Sequence, residues 1–237
     1  MSDNKISVII RTFNEAKWIG KVLEALEKQK YRNFEIIIVD SGSTDGTIDI
    51  CKRHNCNIVN IKKEDFNYSY ASNIGAEVAT GNIICYLSGH SVPVNSDFLT
   101  IANDLFKDES IGGVYGEVIA LPDGSIIEKL FNNLGYKKAL KNGTVIEKEI
   151  HPGILSCSNA MLRKSIWEKN KFKVELGHGG EDVEMAYCII KDGYVIAREP
   201  KLLIMHSHGS NIFKFMKEFK GWRKMYEDVL TYINENY

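Results

Sequence analysis

The stretch IICYLSGHSVP, residues 83–93, decides the fold. Ile83, Ile84, Tyr86 and Leu87 flank Cys85 in a short apolar run that fits a buried strand. The run stops abruptly at Ser88-Gly89-His90-Ser91, and Pro93 follows. A polar tetrapeptide straight after a buried strand is where an open α/β sheet presents side chains to a ligand.

Two upstream runs end in the same way. Residues 6–10 read as a first strand and stop at Arg11-Thr12-Phe13-Asn14-Glu15. Residues 34–39, FEIIIV, read as a second and stop at Asp40-Ser41-Gly42-Ser43-Thr44-Asp45-Gly46. Between them Trp18, Ile19, Val22, Leu23 and Leu26 fall at helical spacing and form one apolar stripe. Thr44 or Asp45 can cap a short helix carrying Ile48 and Cys51. Residues 58–61 make a third strand, and a helix through Ala71, Ile74, Gly75 and Val78 closes at Thr80-Gly81. Strands alternating with helices at this spacing predict an α/β fold with a mostly parallel, doubly wound sheet. Ligands bind beyond the carboxyl ends of such strands, so the three polar ends are expected to share one crevice.

Downstream, residues 97–106 predict a helix and 113–121 a strand, followed by the turn Pro122-Asp123-Gly124. Residues 128–149 carry five lysines among scattered apolar side chains. They read as a solvated helix and loop, or as a flap over a diphosphate. Ser156-Cys157-Ser158-Asn159-Ala160 is a run of small residues that allows close approach. LGHGGEDVE, residues 176–184, leads through glycines to Glu181-Asp182 and a helix. Residues 194–198 and 202–205 are two further strands, the second ending in His206-Ser207-His208. The tail repeats Phe215, Phe219, Trp222, Tyr226 and Ile233 at helical spacing, with Lys214, Lys217, Lys220, Arg223 and Lys224. It reads as a helix packed on the domain, whose basic and aromatic face suits peripheral contact with an anionic membrane leaflet.

The 237 residues suit one large domain, and the net charge of −1 gives no bulk attraction for nucleic acid. The five cysteines lack CxxC spacing and read as reduced thiols of a cytoplasmic protein. The first residues do not form a signal peptide, and no run approaches the roughly 18 apolar residues that would span a membrane. A nicotinamide dehydrogenase would need G-x-G-x-x-G after a strand, which is absent. A nucleotidyltransferase would need a glycine-rich basic loop where RTFNEAKW stands.

SVIIRTFNE, EIIIVDSGSTDGT, NYSYASNIGAEVATGNIICYLSGHSVP and GGEDVEMAY, in this order, resemble the inverting nucleotide-sugar glycosyltransferases of family 2, which have the GT-A fold. The resemblance implies a GT-A domain over residues 1–210 and a C-terminal amphipathic helix over 211–237. Within the domain it implies a nucleotide-sugar half to about residue 121 and an acceptor half beyond. The partners implied are a nucleoside-diphosphate sugar and a saccharide or lipid-linked saccharide acceptor. Arg11, Thr12, Asn14 and Glu15 would line the nucleotide pocket, Asp40 and Ser41 would hold base and ribose, and Asn73 would face the crevice. Asp182 would be the catalytic base, with Glu181 and Glu184 as alternatives. His178, Gly179 and Gly180 would approach the acceptor or the donor sugar.

The chain departs from the family pattern at the metal motif. Ser88-Gly89-His90 stands where Asp-x-Asp usually holds Mn²⁺ or Mg²⁺. One expectation is a metal site built from His90 with His206 or His208. A second is that His90 meets the diphosphate without metal. Ser41 stands where many relatives carry a second aspartate, which leaves UDP, dTDP and GDP open. The LSGHS-x-P variant resembles a sub-branch of bacterial polysaccharide synthesis that includes rhamnosyl transfer. The alternative class is a non-catalytic sugar-nucleotide-binding protein, favoured by the missing aspartates and opposed by Glu181-Asp182.

Overall fold

The structure, a computed structural model, describes residues 4–176, 179–209 and 212–237. The first half alternates as the apolar runs predict: β1 (Ile6–Thr12), α1 (Ile19–Glu27), β2 (Phe34–Asp40), α2 (Thr47–Cys51), β3 (Asn57–Asn60), α3 (Tyr68–Val78), β4 (Ile83–Ser88) and β5 (Val92–Pro93). The second half holds α4 (Phe98–Leu105), β6 (Ile111–Ile119), α5 (Ile126–Asn142), β7 (Val145–Glu147), β8 (Asn159–Arg163), α6 (Lys164–Lys169), α7 (Glu181–Lys191), β9 (Val195–Met205) and α8 (Ile212–Asn236). One sheet runs in the order β3-β2-β1-β4-β8-β6-β9-β5, with β7 added against β9.

The register explains why the polar ends converge. β1 pairs in parallel with β2 on one side and β4 on the other, setting Thr12 beside Asp40 and Arg11 beside Ser88. The chain reverses its winding direction about β1, the place where an open sheet leaves a crevice. β8 runs antiparallel against β4, bringing Asn159 opposite Leu87 and residues 154–158 to the same edge. β5 pairs antiparallel with β9 through Val92 and Met205, so Ser91 and His206 meet just beyond that pair.

Side chains alternate between two cores. Val8, Ile10, Ile38 and Leu87 pack on one face beneath α1 and α4. Ile9, Ile37, Tyr86 and Trp167 pack on the other with α3, α6 and α7. Strands buried on both faces read as continuous apolar runs, which is why this half is legible in the sequence.

Three expectations change. The strands at 194–198 and 202–205 are one strand, β9. Its pairing with β6 jumps from Gly116–Glu199 to Glu117–Leu203, so residues 200–202 bulge out around Pro200. The segment from 128 is mostly α5, which begins earlier because Ser125 and Glu128 form a reciprocal capping box. In α8, Val229 and Ile233 are buried, but Trp222 is 45% exposed, so it is not part of the packed stripe. The side chains of Phe215 and Phe219 lie outside the described residues.

Gly116 marks the tightest point of the sheet. A Cβ there would lie 1.7 Å from the carbonyl oxygen of Leu202. Gly116→Ala is expected to cost about 3 kcal/mol or more, because backbone on both strands must shift. Urea unfolding checks this, and a change within 0.5 kcal/mol, the ordinary range for a neutral substitution, would contradict the bulge geometry.

Candidate active site

The crevice begins with a rigid loop pair. Asp40 is buried and its carboxylate is fully engaged: Oδ2 accepts from the backbone N–H of Gly42 and Ser43, both at 2.9 Å. Oδ1 accepts from Ser43 Oγ at 2.5 Å and Thr12 Oγ1 at 3.0 Å. Ser41 Oγ donates to the Thr12 carbonyl at 3.1 Å. Asn14 has a positive φ of 55° and accepts from Thr44 N on Oδ1 at 2.8 Å, while its own N–H donates to Ser43 Oγ. These contacts lock the loops after β1 and β2 to each other. Asp40, Ser41 and Thr12 therefore shape the crevice from below, with their polar atoms spent on the scaffold.

Above this floor three imidazoles come together. One ligand atom from each of His90, His206 and His208 lies within 4.8 Å of the others. The His90 and His206 rings stack at 4.4 Å between centroids. His206 Nε2 is 3.2 Å from His208 Nε2, and His206 Nδ1 is 3.1 Å from Ser91 Oγ. His90 Nδ1 is 2.7 Å from Glu15 Oε1, while His90 Nε2 is buried without a hydrogen-bond partner. A histidine whose one nitrogen meets a carboxylate and whose other nitrogen is unspent has the usual arrangement of a metal ligand. Burial, with the neighbouring His90 and His208 second, holds the proton affinity of His206 far below its ordinary value. Desolvation by its packed neighbours, with His90 second, also lowers that of His208, which stands at the exposed edge of the cluster. Neutral imidazole is the metal-binding form, so the donor set fits a divalent ion. Three nitrogens favour a Mn²⁺-like or Zn²⁺-like ion over Mg²⁺, which demands oxygen ligands. A cavity of about 310 Å³ opens beside the cluster, walled by Glu15, Trp18, His90, Leu121, Asp123 and His208.

Arg11 links this cluster to an acidic corner. It lies beside Ser88 in the sheet, and its guanidinium donates to Ser72 Oγ at 3.2 Å and to the Cys157 carbonyl at 3.3 Å. Nη1 also lies 3.6 Å from Glu181 Oε1, with both side chains nearly buried. Glu181 and Asp182 open α7, where the N-terminal dipole favours negative charge. Desolvation, and Glu181 second, nonetheless pushes the Asp182 carboxyl up to about 7, while Arg11 pulls it down. A carboxyl poised near neutrality in a crevice suits general-base work. Arg11→Gln is expected to move the acid limb of the activity profile to higher pH by about one unit, because a cation that favours the ionised form is lost. A pH–rate profile checks this, and a downward shift would contradict the arrangement.

Other expected residues fall elsewhere. Asn73 does not face the crevice: Oδ1 accepts from Trp167 Nε1 at 2.8 Å and Nδ2 donates to the Phe172 carbonyl at 2.9 Å. On α3, Tyr68 and Ser72 share the crevice face, one turn apart, and Asn73 turns away with Ser69. Ser72 is thus a site residue that the sequence reading missed. The helical phase, set from Arg11, would have found it. Glu184 is fully buried, bonded to the Tyr237 hydroxyl and to Cys188, and belongs to the packing of α7 against α8. The close approach that Gly179 and Gly180 permit is to Met225 and Val229 of α8. His178 lies outside the described residues.

Comparison with known proteins places the fold and the family. The sequence profile of Glycosyl transferase family 2 matches residues 7–170. The O-antigen chain rhamnosyltransferase RfbN of Salmonella typhimurium is 30% identical over 209 residues, covering 86% of this chain and 67% of that protein. WbaN of Salmonella anatum, also an O-antigen chain rhamnosyltransferase, is 27% identical, covering 85% of this chain and 66% of its own. Among solved structures, a mannosyltransferase of Pyrobaculum calidifontis in complex with GDP-Man and Mn²⁺ superposes with a TM-score of 0.66 at 22% identity. That match covers 87% of this chain and 58% of the other. TarS of S. aureus in complex with UDP-GlcNAc gives 0.62 at 17% identity over 87% and 59%. The chain thus spans about three fifths of these solved chains, and the shared architecture is the GT-A fold. With a profile match over most of its length and the crevice at the expected strand ends, this chain belongs to glycosyl transferase family 2.

Proposed function

We propose that this protein is an inverting glycosyltransferase of bacterial surface-glycan assembly, moving a sugar from a nucleoside diphosphate to a hydroxyl of a saccharide or lipid-linked saccharide. The observation that carries the reading is Arg11, which lies between an acidic pair containing a near-neutral carboxyl and the end of β4, where His90 meets His206 and His208 from the end of β9. A general base and a site for leaving-group charge are the two things in-line sugar transfer needs. A non-catalytic sugar-nucleotide-binding protein would need the second but not the first.

Asp182 takes the proton of the acceptor hydroxyl as its oxygen forms a bond to the anomeric carbon. The bond from that carbon to the diphosphate oxygen breaks on the opposite face, and its electron pair leaves with the nucleoside diphosphate. Glu181, paired with Arg11, raises the basicity of Asp182. His90, His206 and His208 would hold a Mn²⁺-like ion, whose positive charge stabilises the departing diphosphate when bound. Glu15 orients His90 from the other side of its ring. Thr12, Asn14, Asp40 and Ser41 set the shape of the nucleotide floor, and Ser88 positions His206 together with Ser91.

The acceptor enters beside a cavity of about 400 Å³ lined by Tyr115, Glu117, Phe131, His151, Asn159 and Arg198. Its aromatic and charged walls suit a sugar ring. Ser156 and Ser158, also in its wall, flank the Cys157 carbonyl that Arg11 touches.

The relatives' rhamnosyl transfer makes a rhamnosyl nucleotide the first donor to try. The test is release of nucleoside diphosphate from a panel of UDP, dTDP and GDP sugars, with the product anomer read by NMR. Turnover with inverted configuration is expected. Retained configuration would overturn the mechanism, and no turnover with any donor would favour the binding protein.

A further inference from the structure

We propose that α5 docks on an anionic phospholipid bilayer through the strip Ile126, Leu130, Leu134, Lys137 and Lys141. The spacing of these residues, four, four, three and four, puts them on one face of the helix. Ile126 is 84% exposed, and Leu130, Phe131 and Leu134 are 57% exposed each. The residues that α5 buries are Glu128 and Ala139. The Glu128 carboxylate accepts from the N–H of Ser125 and of His208. The helix therefore leaves the large apolar side chains Ile126, Leu130 and Leu134 facing outward among lysines, where an ordinary surface helix would turn them inward. Scattered exposed leucines need no explanation, but several on one helix face mark an interaction surface.

Charge selects the partner. Glu128 is the one acid in α5 and is buried, whereas Lys129, Lys137, Lys138 and Lys141 are all exposed. In a chain of net charge −1 this is a concentrated cationic rim around an apolar strip. Two copies packed through this face would set lysines against lysines with no carboxylate between them. An anionic bilayer meets both features, taking the apolar strip below its headgroups and pairing the lysines with phosphates. α8, the tail expected to make this contact, is less suited. Two of its five basic residues, Lys214 and Arg223, are paired within the helix to Glu218 and Glu227, and it carries four acids where α5 has one. Phe131, Asn132 and Gly135 of α5 also line the 400 Å³ cavity, so docking brings that cavity to the lipid surface.

The test is co-sedimentation of the whole protein with vesicles, in the absence of donor and acceptor, so its outcome is independent of sugar transfer. Vesicles of equal parts phosphatidylglycerol and phosphatidylcholine are compared with phosphatidylcholine alone. Binding to the mixed vesicles only, weakened by salt, is expected. Ile126→Ser, Leu130→Ser and Leu134→Ser combined should lower partitioning by more than about tenfold, with the circular dichroism unchanged. Lys137→Gln and Lys141→Gln should each lower it about fivefold. Equal binding of wild type and the triple variant would overturn the proposal. So would binding lost on Lys217→Gln with Lys220→Gln in α8 but kept in the α5 variants. No vesicle binding, with a dimer that dissociates in the triple variant, would assign the face to a second copy instead.

Discussion

Asp182→Asn is expected to lower sugar transfer by about 10³-fold or more while leaving nucleotide affinity within about twofold. The amide keeps the size of the side chain and its place at the start of α7, and it cannot take a proton. The pH dependence of the wild type follows from the same group. With its carboxyl near 7, Asp182 is protonated below that pH, so kcat/KM should rise with pH through neutrality. A stability effect accompanies the loss of activity. The folded state holds this proton more tightly than the unfolded chain, whose carboxyl titrates near 3.8. Ionising it therefore costs stability progressively as pH rises from about 4 to 7, and the cost is fully present above that window. The asparagine variant escapes this cost. Its Tm should exceed that of the wild type at pH 8, and the gain should shrink toward zero near pH 4. Equal activity in the variant, or a lower Tm at pH 8, would remove Asp182 from its role.

His206→Ala is expected to abolish stoichiometric Mn²⁺ binding and to lower transfer by about 10²-fold or more. His206 stands at the centre of the cluster, stacked on His90 and in contact with His208. Its removal also opens space in a buried site, so His208→Ala is the cleaner companion. His208 is exposed and its loss leaves no core cavity. Both variants should lose the ion, read by metal analysis of the dialysed protein, while nucleotide-free circular dichroism stays unchanged. Retention of one equivalent of Mn²⁺ in both variants would contradict the three-imidazole site. Full transfer activity without the ion would support instead a direct contact of His90 with the diphosphate.

The first half of the fold was legible because its strands are buried on both faces and end sharply in polar residues. Ile6 to Ile10 and Ile83 to Leu87 leave little choice of period. The meeting of His90 with His206 was less visible, since it depends on Val92 pairing with Met205, more than a hundred residues away. Asn73 was misplaced by one residue of helical phase. Tyr68 and Ser72 face Arg11, and the asparagine turns away to hold the backbone of Phe172. The lysine-rich segment was opaque because α5 leaves leucines and lysines exposed side by side, which blurs the amphipathic signal. Pro200 divided one strand into two apparent ones, since a bulge breaks the pattern without breaking the strand. Glycines 179 and 180 were read as approaching a sugar, whereas the neighbours that need their missing side chains are Met225 and Val229 of α8, a contact between distant segments that no local pattern shows.

The most direct test of the central claim is calorimetric titration of the metal-stripped protein with UDP, dTDP, GDP and CMP, each with and without Mn²⁺. The account predicts that one nucleoside diphosphate binds with Mn²⁺ and binds at least about tenfold more weakly under chelator. Nucleotide binding of equal strength with Mn²⁺ and with chelator would contradict it.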